Sequence, residues 1–252
     1  NDGVIAIVFG HVEGWEGDGP SIHLVERSEG TWGQTFTKTW NQIQNGSEGQ
    51  NWNPERSTRF QDRVDIEVTA HTVSIMGYVN ECVRPLMIQK GAEGWDWSSF
   101  SYDECELIGN ISLDGERMVV SEMPWRDRVL IFNHNQGQWS QVQSIGGVEQ
   151  APLDYGWEPV ALVGDDLFVY TSNGLAHYRA NGGQFEDQGI LIEGVQPYGL
   201  DSDGKNLIVK GPQGVYVYGV TTGEALGDFV TNGFENNFQN YRNARVVGSQ
   251  VV

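Results

Sequence analysis

The sequence predicts an all-β chain built of repeated four-stranded antiparallel units, and three observations carry that prediction. The first is a fixed offset. Five short apolar strands, 21–27, 84–90, 128–134, 174–180 and 214–220, have Val25, Ile88, Phe132, Tyr178 and Tyr218 as their fifth residues. Seven positions further on stand Trp32, Trp95, Trp139, Phe185 and Ala225. An offset that recurs roughly every 40 to 60 residues marks copies of one supersecondary unit. The second observation is composition: 33 glycines in 252 residues, with many short apolar runs, favour tight turns between strands over long helices. The third is the punctuation. Asp114-Gly115, Gly164-Asp165 and Asp203-Gly204 fall at or near the expected hairpins, where residues tolerant of positive φ belong.

Each element follows from its local pattern. The segments 4–10, 73–79, 117–123, 167–173 and 207–213 have the period-2 or continuous apolar character of half-buried or buried strands, and each precedes one of the five strands above. In front of four of them lies a further apolar stretch and turn, at 65–72, 110–117, 159–166 and 199–206. A unit therefore reads as inner, second, third and outer strand. The bulky anchor starts the outer strand and is expected to wedge between neighbouring sheets. That is the pattern of a β-propeller blade.

The chain is read as a single domain over 1–252. Its first unit lacks an inner strand, while 243–252 aligns with the inner-strand segments. A ring of five blades closed by that C-terminal strand would hide both sheet edges. The alternative is a piece of a larger propeller, which Val251 and Val252 favour because they resemble the start of a further second strand. Two polar segments interrupt the spacing. Residues 41–62 carry Trp52 and Phe60, and residues 232–243 carry Phe234, Phe238 and Tyr241. Loops of such length are functional or disordered, and their aromatics either form contact surfaces or pack on their own domain.

The formal net charge of −19 repels phosphate backbones, so no nucleic-acid partner is expected. No apolar run approaches the roughly 18 residues of a membrane span, so no membrane insertion is expected. Cys82 and Cys105 bracket the last two strands of one blade. A disulfide there suits an oxidising compartment, with two buried free thiols as the alternative. The chain begins at Asn1 without Met, as a processed or excised form would. Asn45-Gly46-Ser47 is a glycosylation sequon in an exposed context, and Asn110-Ile111-Ser112 is a second at an inner strand.

Residues 110–145 resemble the FG-GAP type of propeller repeat, through Ser112-Leu113-Asp114-Gly115, Met118-Val119-Val120, Pro124, Val129 to Phe132 and Gln138-Trp139-Ser140-Gln141. Residues 201–218 look like the same repeat, and 5–32 match it more loosely. The resemblance implies an extracellular or cell-surface module of adhesion type, like the head of integrin α-subunits. It also implies Ca²⁺ in an Asp-rich hairpin for some members. Here that hairpin keeps Asp201 and Asp203 with Gly204, and Lys205 stands at a ligand-type position. Two carboxylates leave a calcium shell of about six or more oxygens short. A plain Asp-Gly turn is the expected reading, and no cofactor is assigned.

No nucleophile elbow, phosphate loop or paired metal-type histidines appear in the sequence. His23, His134 and His177 sit in the third strands at different register positions, so structural or surface roles are expected. Asp65 and Glu158 at inner-strand starts are the candidates for a glycosidase pair across a channel mouth. Trp125 and Trp157 in connections, with Trp52, are the candidates for a ligand or carbohydrate surface. The expectation is a secreted or cell-surface recognition, adhesion or assembly module without catalytic activity. Its partner would be a protein or copies of itself. A carbohydrate-binding lectin is the second reading and a glycosidase the third.

Overall fold

The computed structural model describes residues 3–9, 21–39, 42, 66–79, 82–101, 111–122, 128–146, 160–171, 173–193, 199–202, 206–211, 214–220, 225–229, 246–247 and 250–251. The strands fall where the repeat places them. The first sheet holds β1 (Gly3–Phe9), β2 (Ser21–Ser28) and β3 (Thr31–Thr39). The second holds β4 (Ile66–Val68), β5 (Thr72–Val79), β6 (Cys82–Gly91) and β7 (Gly94–Ser101). The third holds β8 (Ile111–Asp114), β9 (Arg117–Glu122), β10 (Arg128–Asn135) and β11 (Gln138–Gly146). The fourth holds β12 (Val160–Val163), β13 (Asp166–Thr171), β14 (Gly174–Asn181) and β15 (Gln184–Glu193). The fifth holds β16 (Gly199–Ser202), β17 (Asn206–Gly211), β18 (Gly214–Gly219) and β19 (Ala225–Phe229). A last pair is β20 (Val246–Val247) and β21 (Gln250–Val251).

Each sheet is an antiparallel meander in chain order, which makes four complete four-stranded blades and one three-stranded sheet. The fold is a β-propeller of four-stranded antiparallel blades. One pairing departs from simple repetition. The outer strands β7 and β11 run parallel over three residue pairs, from Gln138 opposite Ser99 to Ser140 opposite Ser101, and join the second and third blades into one eight-stranded sheet. At the C-terminus, β20 pairs with β21, in the manner of an inner strand meeting a second strand.

The chain divides into two compact units, one of Asn1–Arg117 with Phe132–Gln141 and the other of Met118–Ile131 with Val142–Val252. In the first, β1 lies near β4 and β4 near β8; in the second, β12 lies near β16. Innermost strands thus neighbour innermost strands, as blades require.

The turn chemistry explains why the offset is constant. Glu29-Gly30, Gln136-Gly137 and Gly182-Gly183 each form a two-residue link between third and outer strand with both φ angles positive (52° and 81°, 51° and 82°, 60° and 93°). This is the backbone that matches strand twist in a tight hairpin. A register shift recurs between the fourth and fifth residues of the third strand: Leu24/Val25, His177/Tyr178 and Val217/Tyr218. A repeated bulge of this kind re-aims the outer strand at the same place in these three blades, while β6 and β7 pair in continuous register.

Burial falls from the inside of a blade outward. All six residues of β13 are buried, and most of β15 is exposed. Strands buried on both faces read as continuous apolar runs, as Leu167 to Tyr170 does. Neighbouring sheets meet through alternating side chains. In the first unit Ile22, Leu24 and Phe36 pack with Val73, Ile75, Leu86, Ile88 and Trp95. In the second, Val160 and Leu162 of β12 join a cluster with Val119, Val129 and Ile131. Ala161 and Val163, facing the other way, join Leu200, Leu207 and Val209.

The expectation that every anchor is an interior wedge holds for Trp95 (8% exposed), Trp139 (0%) and Phe185 (5%), and fails for Trp32 (45%). The reason lies in the faces of the first sheet. Its core-directed side chains are Ile22, Leu24 and Phe36, and Trp32 stands on the opposite face, beside polar residues. Ala225 opens β19 as expected. Among the described residues no helix is long and apolar enough to cross a membrane.

Candidate functional site

The hairpins between third and outer strands place polar groups by a rule that register alone does not state. Count each third strand from Ser21, Arg84, Arg128, Gly174 and Gly214. The sixth residues are Glu26, Gln89, Asn133, Arg179 and Gly219, and the seventh are Arg27, Lys90, His134, Ala180 and Val220. The seventh residue pairs directly with the anchor, as Arg27 with Trp32, Lys90 with Trp95 and Ala180 with Phe185. Directly opposed residues of an antiparallel pair project from the same face, and consecutive residues from opposite faces. Seventh residue and anchor therefore share one face of the sheet, and the sixth residue occupies the other.

Between the first and second blades this puts Glu26 against Lys90. The Lys90 ammonium donates to Glu26 Oε1 at 2.5 Å and stands 6.0 Å from the centre of the Trp95 ring. Burial on its own raises the Glu26 pKa. Hydrogen bonds and charge outweigh it, with Lys90 foremost, then the Trp95 indole and the Thr35 hydroxyl, so the carboxyl is held below its usual range. The Trp95 N–H itself is buried without a hydrogen-bond partner. One carboxylate is thus received by a cation carried on the next blade.

The same positions meet between the second and third blades. Gln89 Nε2 lies 2.9 Å from His134 Nδ1, and the His134 ring sits 5.3 Å from that of Trp139. With the amide donating to Nδ1, the neutral imidazole carries its proton on Nε2. Burial pushes the His134 pKa down, against a smaller upward pull from Glu116. Gln89 Oε1, His134 Nε2 and Trp139 Nε1 are buried without a hydrogen-bond partner. Two further side chains fasten these blades: Thr72 Oγ1 donates to the Gly115 carbonyl at 3.4 Å and Ser98 Oγ to that of Gly137 at 3.0 Å.

The first blade carries the same two register positions as Arg27 and Trp32. Arg27 and Trp32 are both exposed, and they oppose each other across β2 and β3. Along the same face lie Val25, Gln34, His23 and Thr37. His23 Nε2 is 2.9 Å from Ser21 Oγ, and its Nδ1 is 3.3 Å from both Gln34 Oε1 and Thr37 Oγ1. Where the second blade offers Leu86 and Ile88 on the equivalent face, the first offers His23 and Val25. This half-open, polar face with a projecting indole and guanidinium is the candidate site.

Two other charged clusters are tied within their own blades. His177 Nε2 meets Asp166 Oδ1 at 2.7 Å, with Arg179 Nε at 3.8 Å from the same oxygen, while the imidazole stacks on Phe168 at 5.0 Å. Glu122, with a side chain 3% exposed, is held by Nε and Nη2 of Arg128. His23, His134 and His177 thus all enter hydrogen bonds from different register positions, the structural use expected of them. No group of three metal-type side chains occurs among the described residues.

The sites singled out from sequence are mostly beyond what can be placed. Trp52, Trp125, Trp157, Asn45, Cys105, Asp203, Asp65 and Glu158 lie outside the described residues. The backbone of Cys82 pairs with Val79 at the start of β6. Asp201 lies in β16 opposite Ile208, and its Oδ1 accepts from the Ser202 N–H at 2.9 Å, the local contact of a turn-forming aspartate. Sequence reasoning missed Arg27 with Trp32. The signal was available: of the five anchors, Trp32 alone follows a third strand with a histidine at its third place.

The chain matches no protein-family model and no curated protein. Among solved structures it resembles a protein from Lactobacillus plantarum, at 14% identity and a TM-score of 0.52, over 92% of this chain and 69% of that one. Weaker likenesses include a 6-phosphogluconolactonase candidate from Bacteroides fragilis (12% identity, TM-score 0.45, 90% and 80% covered) and TolB from Acinetobacter baumannii (10%, 0.42, 88% and 50%). Identity this low shows the fold alone, and the chain is similar in fold to a propeller protein.

Proposed function

We propose that this β-propeller is a non-catalytic recognition module of an extracellular or cell-surface setting, and that it binds a protein partner through the open face of its first blade. The exposure of Trp32, 45% where its three described counterparts are 8% or less, carries the reading. Aromatic side chains bury about 150–250 Å² each when they pack, so a Trp left out of the core forgoes a large gain. Trp and Arg are also the residues that most often dominate contact energy at protein interfaces. The commitment of Glu26, Glu122 and Asp166 to cations on strands nearby supports a structural rather than a reactive use of these carboxylates.

Carbohydrate binding is the second reading, favoured by the same indole with Gln34 close by on its face. Both are tested with immobilised protein, wild type beside Trp32→Ala, exposed to a glycan array and to a panel of purified cell-surface ectodomains. Binding to an ectodomain that Trp32→Ala removes is the expected result. Glycan binding lost in that variant moves the assignment to a lectin. Turnover of lactone, glycoside or peptide substrates that Trp32→Ala leaves unchanged overturns the reading.

A further inference from the structure

We infer that Gln89 and His134 form a proton-keyed link between the second and third blades: the Gln89 amide makes a half-turn each time the imidazole gains or loses its proton, and the blades stay hydrogen-bonded in both states. All the groups concerned lie in the first compact unit. Gln89 Nε2 stands 2.9 Å from His134 Nδ1. An amide nitrogen only donates, so this contact requires a lone pair on Nδ1. An imidazolium has an N–H at both ring positions, and protonation therefore sets donor against donor.

The acceptor that answers the new N–H is on the same side chain. Gln89 Oε1 is buried without a hydrogen-bond partner. A half-turn about the last bond of the side chain exchanges oxygen and nitrogen, two groups of nearly equal size, and brings Oε1 to Nδ1–H. The oxygen has no other hydrogen bond to give up, and the one it gains is charge-assisted. The Trp139 ring lies 5.3 Å from the imidazole, with its own Nε1 buried and unpartnered. An indole donates only, so it offers the imidazolium no competing acceptor.

The charged surroundings single out the imidazole as the group that titrates. From the turn before β9, Glu116 pulls the His134 pKa up, less than burial pushes it down, and the Glu116 carbonyl accepts from the His134 N–H at 2.8 Å. On β6 the neighbouring Lys90 is held by Glu26 of the first blade, and its N–H donates to the carbonyl of the exposed His71 in the turn before β5. The hairpin of β10 and β11 adds uncharged Asn133, Asn135 and Gln136. Elsewhere this seam is held by hydroxyl and backbone bonds, at Thr72 with Gly115, at Ser98 with Gly137 and along β7 with β11, which do not titrate near neutral pH. Burial opposes a charged ring, so the exchange belongs below about pH 6.5.

The test is an NMR titration of the whole protein labelled with ¹³C and ¹⁵N, from about pH 8 to 5. The His134 imidazole and Gln89 amide signals are identified by their loss in His134→Gln and Gln89→Leu. At the alkaline end a coupling across the hydrogen bond from Gln89 Nε2 to His134 Nδ1 is expected. Through the His134 midpoint that coupling should vanish, the Gln89 amide signals should move, and a slowly exchanging Nδ1–H should appear. In Gln89→Leu the midpoint should fall by about 0.5–1 pH unit, because a charge-assisted bond is roughly twice as strong as the neutral one it replaces. A fixed amide gives the opposite sign: a donor held to the neutral ring opposes protonation, and its removal raises the midpoint. Leucine also dries the site, so the fall supports the link only together with the Nδ1–H signal. In Gln89→Glu the midpoint should rise by about 1 pH unit or more. A rise in Gln89→Leu, an unchanged midpoint in Gln89→Glu, Gln89 signals that ignore the titration, or an Nδ1–H that never appears overturns the inference.

Discussion

Replacing Gln143 by Leu should destabilise the second unit by about 2–3 kcal/mol. Gln143 lies in β11, and its amide bridges the backbone of Phe185 at the start of β15. Nε2 donates to the Phe185 carbonyl at 2.8 Å, and Oε1 accepts from the Phe185 N–H at 2.7 Å. Both bonds are short and part-buried, and Phe185 is 5% exposed, so water replaces them poorly. A hydrogen bond contributes about 0.5–1.5 kcal/mol net, and a buried donor left unpaired costs about 1–3 kcal/mol. Leu keeps the volume roughly constant, so the loss is two bonds with one orphaned N–H, partly offset by water at the carbonyl. Gln143→Glu keeps the acceptor and loses the donor, and should fall about halfway. Urea unfolding followed by intrinsic fluorescence measures the effect, with Ser144→Ala on the exposed neighbouring position as control. Equal unfolding midpoints for Gln143→Leu and Ser144→Ala would refute the claim that this side chain fastens one blade to the next.

Three other outcomes follow from the same geometry. Trp139→Ala, at a fully buried anchor, should cost about 3–5 kcal/mol, while Trp32→Ala should stay within about 0.5 kcal/mol; thermal unfolding of the two variants side by side checks the contrast. The Glu26 carboxyl has a folded pKa below its ordinary 4.5, so its contribution is present above the unfolded value and is lost as pH falls through the folded one. The stability difference between wild type and Lys90→Met should therefore vanish in acid below that range. It should remain under about 1 kcal/mol at neutral pH, because the pair is partly solvated. The His134 pKa is depressed by burial, so the unfolded chain takes up its proton first as pH falls below about 6.5, and stability drops there. His134→Gln should flatten the stability profile between about pH 7 and 5, and an unchanged slope would remove His134 as its source.

The strands were legible because their signals are local. Two-residue turns such as Gln136-Gly137 hold the hairpin length constant, so the offset from Phe132 to Trp139 survives in the sequence as a countable spacing. Apolar runs such as Leu167 to Tyr170 follow from burial on both faces of β13. The exposure of Trp32 showed in the sequence only as the histidine at the third place of the preceding strand, because a side chain is buried by what covers its face. Trp32 and Trp95 have the same local sequence position, and they differ in that Ile22, Leu24 and Phe36 of another sheet lie against the second. The fastening of blade to blade was equally hidden. Glu26 and Lys90 are 64 residues apart, and nothing in either segment alone marks them as partners. The carbohydrate candidates were drawn from connections, where pattern is weakest, and the enzymatic pair from inner-strand starts that lie outside the described residues.

The alternation of sixth and seventh residues gives the blade two chemically unlike sides. An acceptor leaves by one side, and a donor with its indole waits on the other. Blades of this kind can be added in one orientation, like keyed tiles, and a transplanted blade fits where its neighbours complete its pairs. The third blade brings an amide on one side and a histidine on the other, whereas the fourth brings an arginine and an alanine. An engineer lengthening this protein would thus do well to duplicate the second blade, and to expect a duplicated fourth to leave a seam.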